Sequence, residues 1–141
     1  EPLTLAQVEA VNRFCQPPES GTLHDLLWSD PQDEPGRRPS RRGTGYSFGP
    51  EYTRAFLERN GLTLLLRSHE VKPEGYEIAH GGLLATVFSA PNYCDQMGNK
   101  GAFATFVAPD MKPTYTTFDA VPHPDIKPMA YSSGLGGMFG F

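Results

Sequence analysis

Apolar residues recur at Leu5, Val8 and Val11, the three-residue step of one helix face. This spacing predicts a helix over 5–14. Thr4 and Gln7 stand where a capping box would, and Glu9 and Arg13 lie one i,i+4 step apart. Pro17 and Pro18 stop that helix. The next apolar run, Leu23 to Trp28 (LHDLLW), is short and is expected to be a buried strand. From Gln32 to Gly45 no aliphatic or aromatic side chain occurs, which predicts a surface loop. Pro50 and Glu51 suit the first turn of a second helix near 50–60. Its inner face would carry Tyr52 and Phe56, and Asn60-Gly61 would end it.

Beyond Gly61 the pattern turns to β structure. Leu62 to Arg67 is expected as a buried strand running into Ser68-His69. Tyr76 to Ala79 and Leu83 to Phe88 flank His80-Gly81-Gly82, the signature of a hairpin. Ala102 to Val107 alternates, and Tyr115 to Phe118 is a further strand. The predicted class is α+β, mostly β with two helices. Residues 1–130 form one unit, followed by a Gly-rich, flexible tail over 131–141.

Composition narrows the field. Gly and Pro make up about a fifth of the 141 residues, which excludes a coiled coil or helical bundle. Aromatic residues at 11% argue against uniform disorder, and no apolar run approaches the length of a membrane span. The net charge of −4 disfavours a general nucleic-acid binder. Two cysteines, Cys15 and Cys94, are too few for a disulfide framework and read as reduced thiols of a cytoplasmic or nuclear protein.

Four features carry candidate chemistry. His69 ends a buried strand, where sites form at the mouth of a sheet; it reads as a metal-binding imidazole or as a hydrogen-bonded structural residue. His80 sits in the hairpin turn and reads as structural. Arg37, Arg38, Arg41 and Arg42 form a run able to bind phosphate or RNA, or a solvated loop with nothing bound. SAPNYCDQ, Ser89 to Gln96, follows the most apolar strand and offers the Tyr93 phenol and the Cys94 thiol.

LLWSDPQ, RRG with FGPE, RSHEV, EGYE and SAPNYCDQMGNKGA occur in this order. Together they resemble the C-terminal part of the catalytic domain of the phosphoprotein phosphatases, the metal-dependent protein serine/threonine phosphatases. AHGG after EGYE, NYCDQMGNK and AVPHPDIKPMAY resemble the type 5 branch of that family rather than calcineurin or types 1 and 2A. The resemblance runs from about Leu5 to Tyr131. It implies part of a metallophosphatase, calcineurin-like β-sandwich with flanking helices, with this chain supplying most of one sheet. It also implies hydrolysis of phosphoserine and phosphothreonine in protein substrates.

By the same resemblance His69 is one ligand of a centre of two divalent metal ions (manganese, magnesium, iron or zinc). Arg42 holds the substrate phosphate, Tyr93 lines the site, Asp30 lies beside the cleft, and Cys94 sits on a loop over it. His80 is given no metal. A regulatory tetratricopeptide domain upstream is the implied partner. The family's GDxHG, GDxxDRG and GNHE motifs, which carry most of the metal ligands and the catalytic histidine, are not in these 141 residues. The 141 residues alone are therefore expected to be inactive. A non-catalytic binding module, and a phosphate or RNA binder acting through the arginine run, are the alternatives.

Overall fold

The computed structural model describes residues 2–126. The chain opens with α1 (Leu5–Glu9), whose first turn is closed by reciprocal bonds between Thr4 and Gln7, the expected capping box. This helix ends five residues short of the predicted Phe14. Arg13 folds back and donates to the carbonyls of Val8 and Val11, at 2.8 and 3.2 Å, instead of pairing with the Glu9 carboxylate. A guanidinium on the terminal carbonyls satisfies groups that another helical turn would have used.

Residues 23–28, expected as a strand, lie in α2 (Thr22–Trp28). Asp25 N donates to Gly21 O and Ser29 N to Asp25 O, so i→i+4 bonds run through the segment. Polar His24 and Asp25 interrupt the run, and Leu23, Leu26 and Leu27 stand at the i, i+3, i+4 spacing of a helix, in which only His24 is buried. The segment Gln32–Gly45, expected as loop, contains a strand. β1 (Asp30–Pro31), β2 (Arg37–Pro39) and β3 (Tyr46–Phe48) form a ladder ordered β1-β3-β2. β1 runs parallel to β3 and β2 antiparallel. β2 is polar because it is exposed along its length.

α3 (Pro50–Asn60) matches the expected helix, with Pro50 at its start and Glu51 in the first turn. Gly61 at φ 64° closes it in the left-handed conformation that glycine adopts without strain. Its buried face is Thr53 and Leu57 rather than Tyr52 and Phe56; Tyr52 is half-exposed. Thr53 sets the rotation by hydrogen-bonding the buried His80 ring.

Two further ladders complete the structure. β4 (Leu65–Arg67), β5 (Tyr76–Ala79) and β6 (Leu84–Val87) are ordered β4-β6-β5, with β6 parallel to β4 and antiparallel to β5. The turn His80–Gly82 joins β5 to β6, as the hairpin signature predicts. β7 (Gly101–Phe106) and β8 (Pro113–Phe118) form an antiparallel pair. The strands thus fall into three ladders rather than most of one sheet, and three α-helices accompany them among the described residues. β6 is the centre: Leu84 and Ala85 are fully buried, and Leu57 and Ala102 are the other buried apolar side chains among the described residues. Tyr76 stacks on Tyr115 at 4.6 Å between ring centres, tying β5 to β8. The tail expected at 131–141 lies outside the described residues. Among the described residues no helix is long and apolar enough to cross a membrane.

Candidate functional site

The site grows from the junction of α2 and β1. α2 delivers Trp28 and Ser29, and β1 opens with Asp30, nearly buried. The arginine-rich segment returns to this junction through a tight turn. Gly43 N donates to Ser40 O, Arg42 N to Ser40 Oγ and Ser40 N to Gly45 O, each at 3.1 Å. Serine at the first position and glycine at the fourth is the composition such a turn favours. Gly45 has φ 69°, and a Cβ there would lie 2.8 Å from the Trp28 carbonyl. Only glycine lets the turn close onto α2 so tightly. Thr44 Oγ1 binds His24 Nε2 at 2.9 Å, and His24 Nδ1 donates to Pro18 O at 3.0 Å, which locks the same junction.

This geometry aims Arg42 at Asp30. Arg42 Nε donates to Asp30 Oδ2 at 2.6 Å. Arg67, at the end of β4, donates from Nη2 to Asp30 Oδ1 at 2.8 Å. One carboxylate therefore bridges two guanidiniums. Arg67 is itself fixed by Glu70 at 2.6 Å and by the buried Thr86 hydroxyl at 3.3 Å. Lys72 extends the network to Glu70 and Glu77. The hydrogen bond that Arg42 donates to Asp30, with the charge of that carboxylate, raises the Arg42 guanidinium above its ordinary value despite some desolvation, so it stays cationic. Asp30 holds Arg42 by Nε. Arg42 Nη2 reaches only the His69 carbonyl, at 3.4 Å, and Nη1 has no partner among the described residues. The outer edge of the fork is open to an anion.

His69 follows Arg67 by two residues. Its φ of 88° places it in the left-handed region, a strained conformation for a side chain of this size. Its ring meets Trp28 edge-on at 5.7 Å between centres. Neither ring nitrogen has a hydrogen-bond partner among the described residues, and the side chain is exposed, which suits one metal ligand. No group of three or more His, Cys, Asp or Glu placed to hold a metal occurs among the described residues. These residues fit one imidazole of a binuclear centre, not the centre itself.

Asp30, Arg42 and the His69 backbone are thus brought together. Tyr93 lies in the loop after β6. It packs edge-on against Phe88 at 5.1 Å, and its backbone N–H donates to Asn99 Oδ1 at 2.9 Å. Asn92, Cys94 and Asp95 in the same loop all have positive φ, and Cys94 is exposed. His80 has no lone pair to spare: Thr53 Oγ1 lies 2.8 Å from Nδ1, and Nε2 lies 3.0 Å from the Gln32 carbonyl. Nε2–H donates to that carbonyl, and Nδ1 accepts from the Thr53 hydroxyl. The arginine run is also dispersed. Arg37 lies over the Tyr46 ring at 4.3 Å and Arg38 pairs with Glu34 at 2.9 Å. Sequence reasoning missed Arg67, Glu70 and Thr86. The available signal was a charged residue ending an apolar strand, since a buried arginine requires partners.

The chain is similar to known proteins over nearly its whole length. A serine/threonine-protein phosphatase 5 of Solanum lycopersicum is 64% identical over 135 residues, which is 96% of this chain and 24% of that protein. The human serine/threonine-protein phosphatase 5 is 56% identical over 133 residues, 94% of this chain and 27% of that protein. The chain spans about a quarter of the length of these curated relatives. A solved protein serine/threonine phosphatase of Saccharomyces cerevisiae superposes with a TM-score of 0.80 at 43% identity. That match covers 92% of this chain and 44% of the yeast chain. The family model described as calcineurin-like phosphoesterase matches residues 1–73, a little over half the sequence. The chain belongs to the calcineurin-like phosphoesterase family, as an α+β piece of the metallophosphatase fold.

Proposed function

We propose that the chain forms the C-terminal part of a catalytic domain that hydrolyses phosphoserine and phosphothreonine in proteins. Its own contribution is a phosphate clamp. The observation that carries this reading is the Arg42 fork, gripped at Nε by Asp30 at 2.6 Å while Arg67 grips the other carboxylate oxygen. A guanidinium fixed from behind presents its Nη edge without reorganising when an anion arrives. In hydrolysis, water forms a new P–O bond and the bond to the serine or threonine oxygen breaks, that oxygen taking up a proton. Charge stays spread over the equatorial phosphoryl oxygens, where a fixed guanidinium acts best. The names of the relatives support this substrate class.

His69 is proposed as one ligand of the divalent ions the family implies. Manganese, magnesium, iron or zinc would need further ligands beyond His69, so the 141 residues alone are proposed to lack activity. Tyr93 is proposed to line the site from its loop, and phosphoproteins in the cytoplasm or nucleus are the proposed substrates. The test is phosphate release from a phosphoserine peptide with added manganese, for the 141-residue chain and for the full-length protein containing it. Turnover by the full-length protein alone is the expected result. Turnover by neither overturns the phosphatase reading, and equal turnover by both overturns the need for outside ligands.

A further inference from the structure

The turn Ser40–Gly43 places two arginines at its two central positions, with about 3.8 Å between their Cα atoms. Arg42 turns inward to Asp30. Arg41 is exposed and, among the described residues, makes no hydrogen bond, ion pair or ring contact. It is the one uncommitted cation of the run, since Arg37 covers Tyr46 and Arg38 pairs with Glu34. The turn that carries it is pinned at both ends, by the buried Ser40 and by Gly45 seated on Trp28. Both oxygens of Asp30 already accept from a guanidinium, Oδ2 from Arg42 and Oδ1 from Arg67.

We infer that Arg41 is a specificity-determining residue that favours substrates carrying an acidic or second phosphorylated side chain close to the phosphoserine held by Arg42. The inference rests on the phosphatase reading above. An anion bound at Arg42 fixes the position of the substrate chain, and a neighbouring carboxylate or phosphate then falls within reach of a long side chain one residue away. An exposed ion pair is weak, so the expected preference is modest, about two- to fivefold. Salt screens it, because exposed charges lose most of their attraction over a few ångströms at high ionic strength.

The experiment uses the full-length protein and two phosphoserine peptides of one sequence, with aspartate or alanine at the residues flanking the phosphoserine. The readout is the ratio of kcat/KM on the acidic peptide to that on the neutral one. The unaltered protein is expected to favour the acidic peptide about two- to fivefold at low salt, with the ratio falling towards one near 0.5 M salt. Arg41→Ala is expected to bring the low-salt ratio to about one, and Arg41→Lys to keep it. A ratio of one in the unaltered protein, or one unchanged by Arg41→Ala, overturns the inference while leaving the phosphatase reading intact. Hydrolysis of neither peptide by the unaltered protein overturns both.

Discussion

Asp30 lies between Arg42 and Arg67, accepting from Arg42 Nε at 2.6 Å and from Arg67 Nη2 at 2.8 Å. Asp30 and Arg67 are nearly buried, with 12% and 13% of their side chains exposed, whereas Arg42 is 38% exposed. The pair is therefore anchored on its inner side and open on its outer side. This asymmetry fits the proposed phosphate clamp; an ordinary surface ion pair contributes little and holds no fixed geometry.

Replacing Asp30 tests the anchor. Asp30→Asn keeps the shape but removes the charge that holds two guanidiniums, leaving Arg67 part-buried and undercompensated. Stability should fall by about 1–3 kcal/mol, the cost of an undersatisfied buried polar group. Chemical denaturation of the full-length protein reads this directly. A loss below about 0.3 kcal/mol would show that the bridge is incidental.

The two conspicuous histidines should behave oppositely. His80 joins Thr53 of α3 to the Gln32 carbonyl through both ring nitrogens. His80→Leu orphans both partners and should cost about 2–4 kcal/mol. His69 is exposed, strained at φ 88° and without a ring hydrogen bond among the described residues. His69→Gly should leave stability unchanged or raise it slightly, because glycine relieves the positive φ, and should remove phosphatase turnover from the full-length protein. Denaturation curves and phosphate release on both variants check the contrast, and a reversal of the two patterns contradicts it.

Alkaline pH should expose Tyr115. Burial, with Tyr76 stacked on it, pushes its phenol above the ordinary tyrosine value. Between about pH 10 and that raised value the unfolded chain releases a proton that the folded chain retains. Rising pH therefore favours unfolding across this window, and the stability is fully present below it. The late part of the phenolate absorbance titration should be lost in Tyr115→Phe, with a shallower alkaline loss of stability. An unchanged absorbance titration in that variant counts against the burial argument.

Local signals were legible where the physics is local. The Thr4–Gln7 box, Pro50 at the start of α3 and left-handed Gly61 at its end each need only neighbouring residues. The hairpin around His80-Gly81-Gly82 is legible for the same reason. Residues 23–28 were not: Leu23, Leu26 and Leu27 keep the i, i+3, i+4 spacing of a helix, but less than two turns of it do not stand out from a short apolar run, and the contacts of His24 to Pro18 and Thr44 fix the helix. β2 was hidden because an exposed strand needs no apolar alternation; its pairing with β3 makes it a strand. Asp30, Arg42 and His69 were singled out as candidates through ordered motifs rather than through any property of the isolated residues. Arg67 was missed because its role exists only once β4 sets it beside Asp30, 37 positions earlier in the chain.

The central claim is that Arg42 is the phosphate clamp. The most direct test is kcat/KM for a phosphoserine peptide in the full-length protein against Arg42→Ala and Arg42→Lys. Loss of a preorganised donor to the transferring group predicts a fall of about a hundredfold or more for alanine. Lysine should recover little, because a point charge does not reproduce the fork. A variant within twofold of the unaltered protein would contradict the clamp and leave the Asp30–Arg42 pair a purely structural bond.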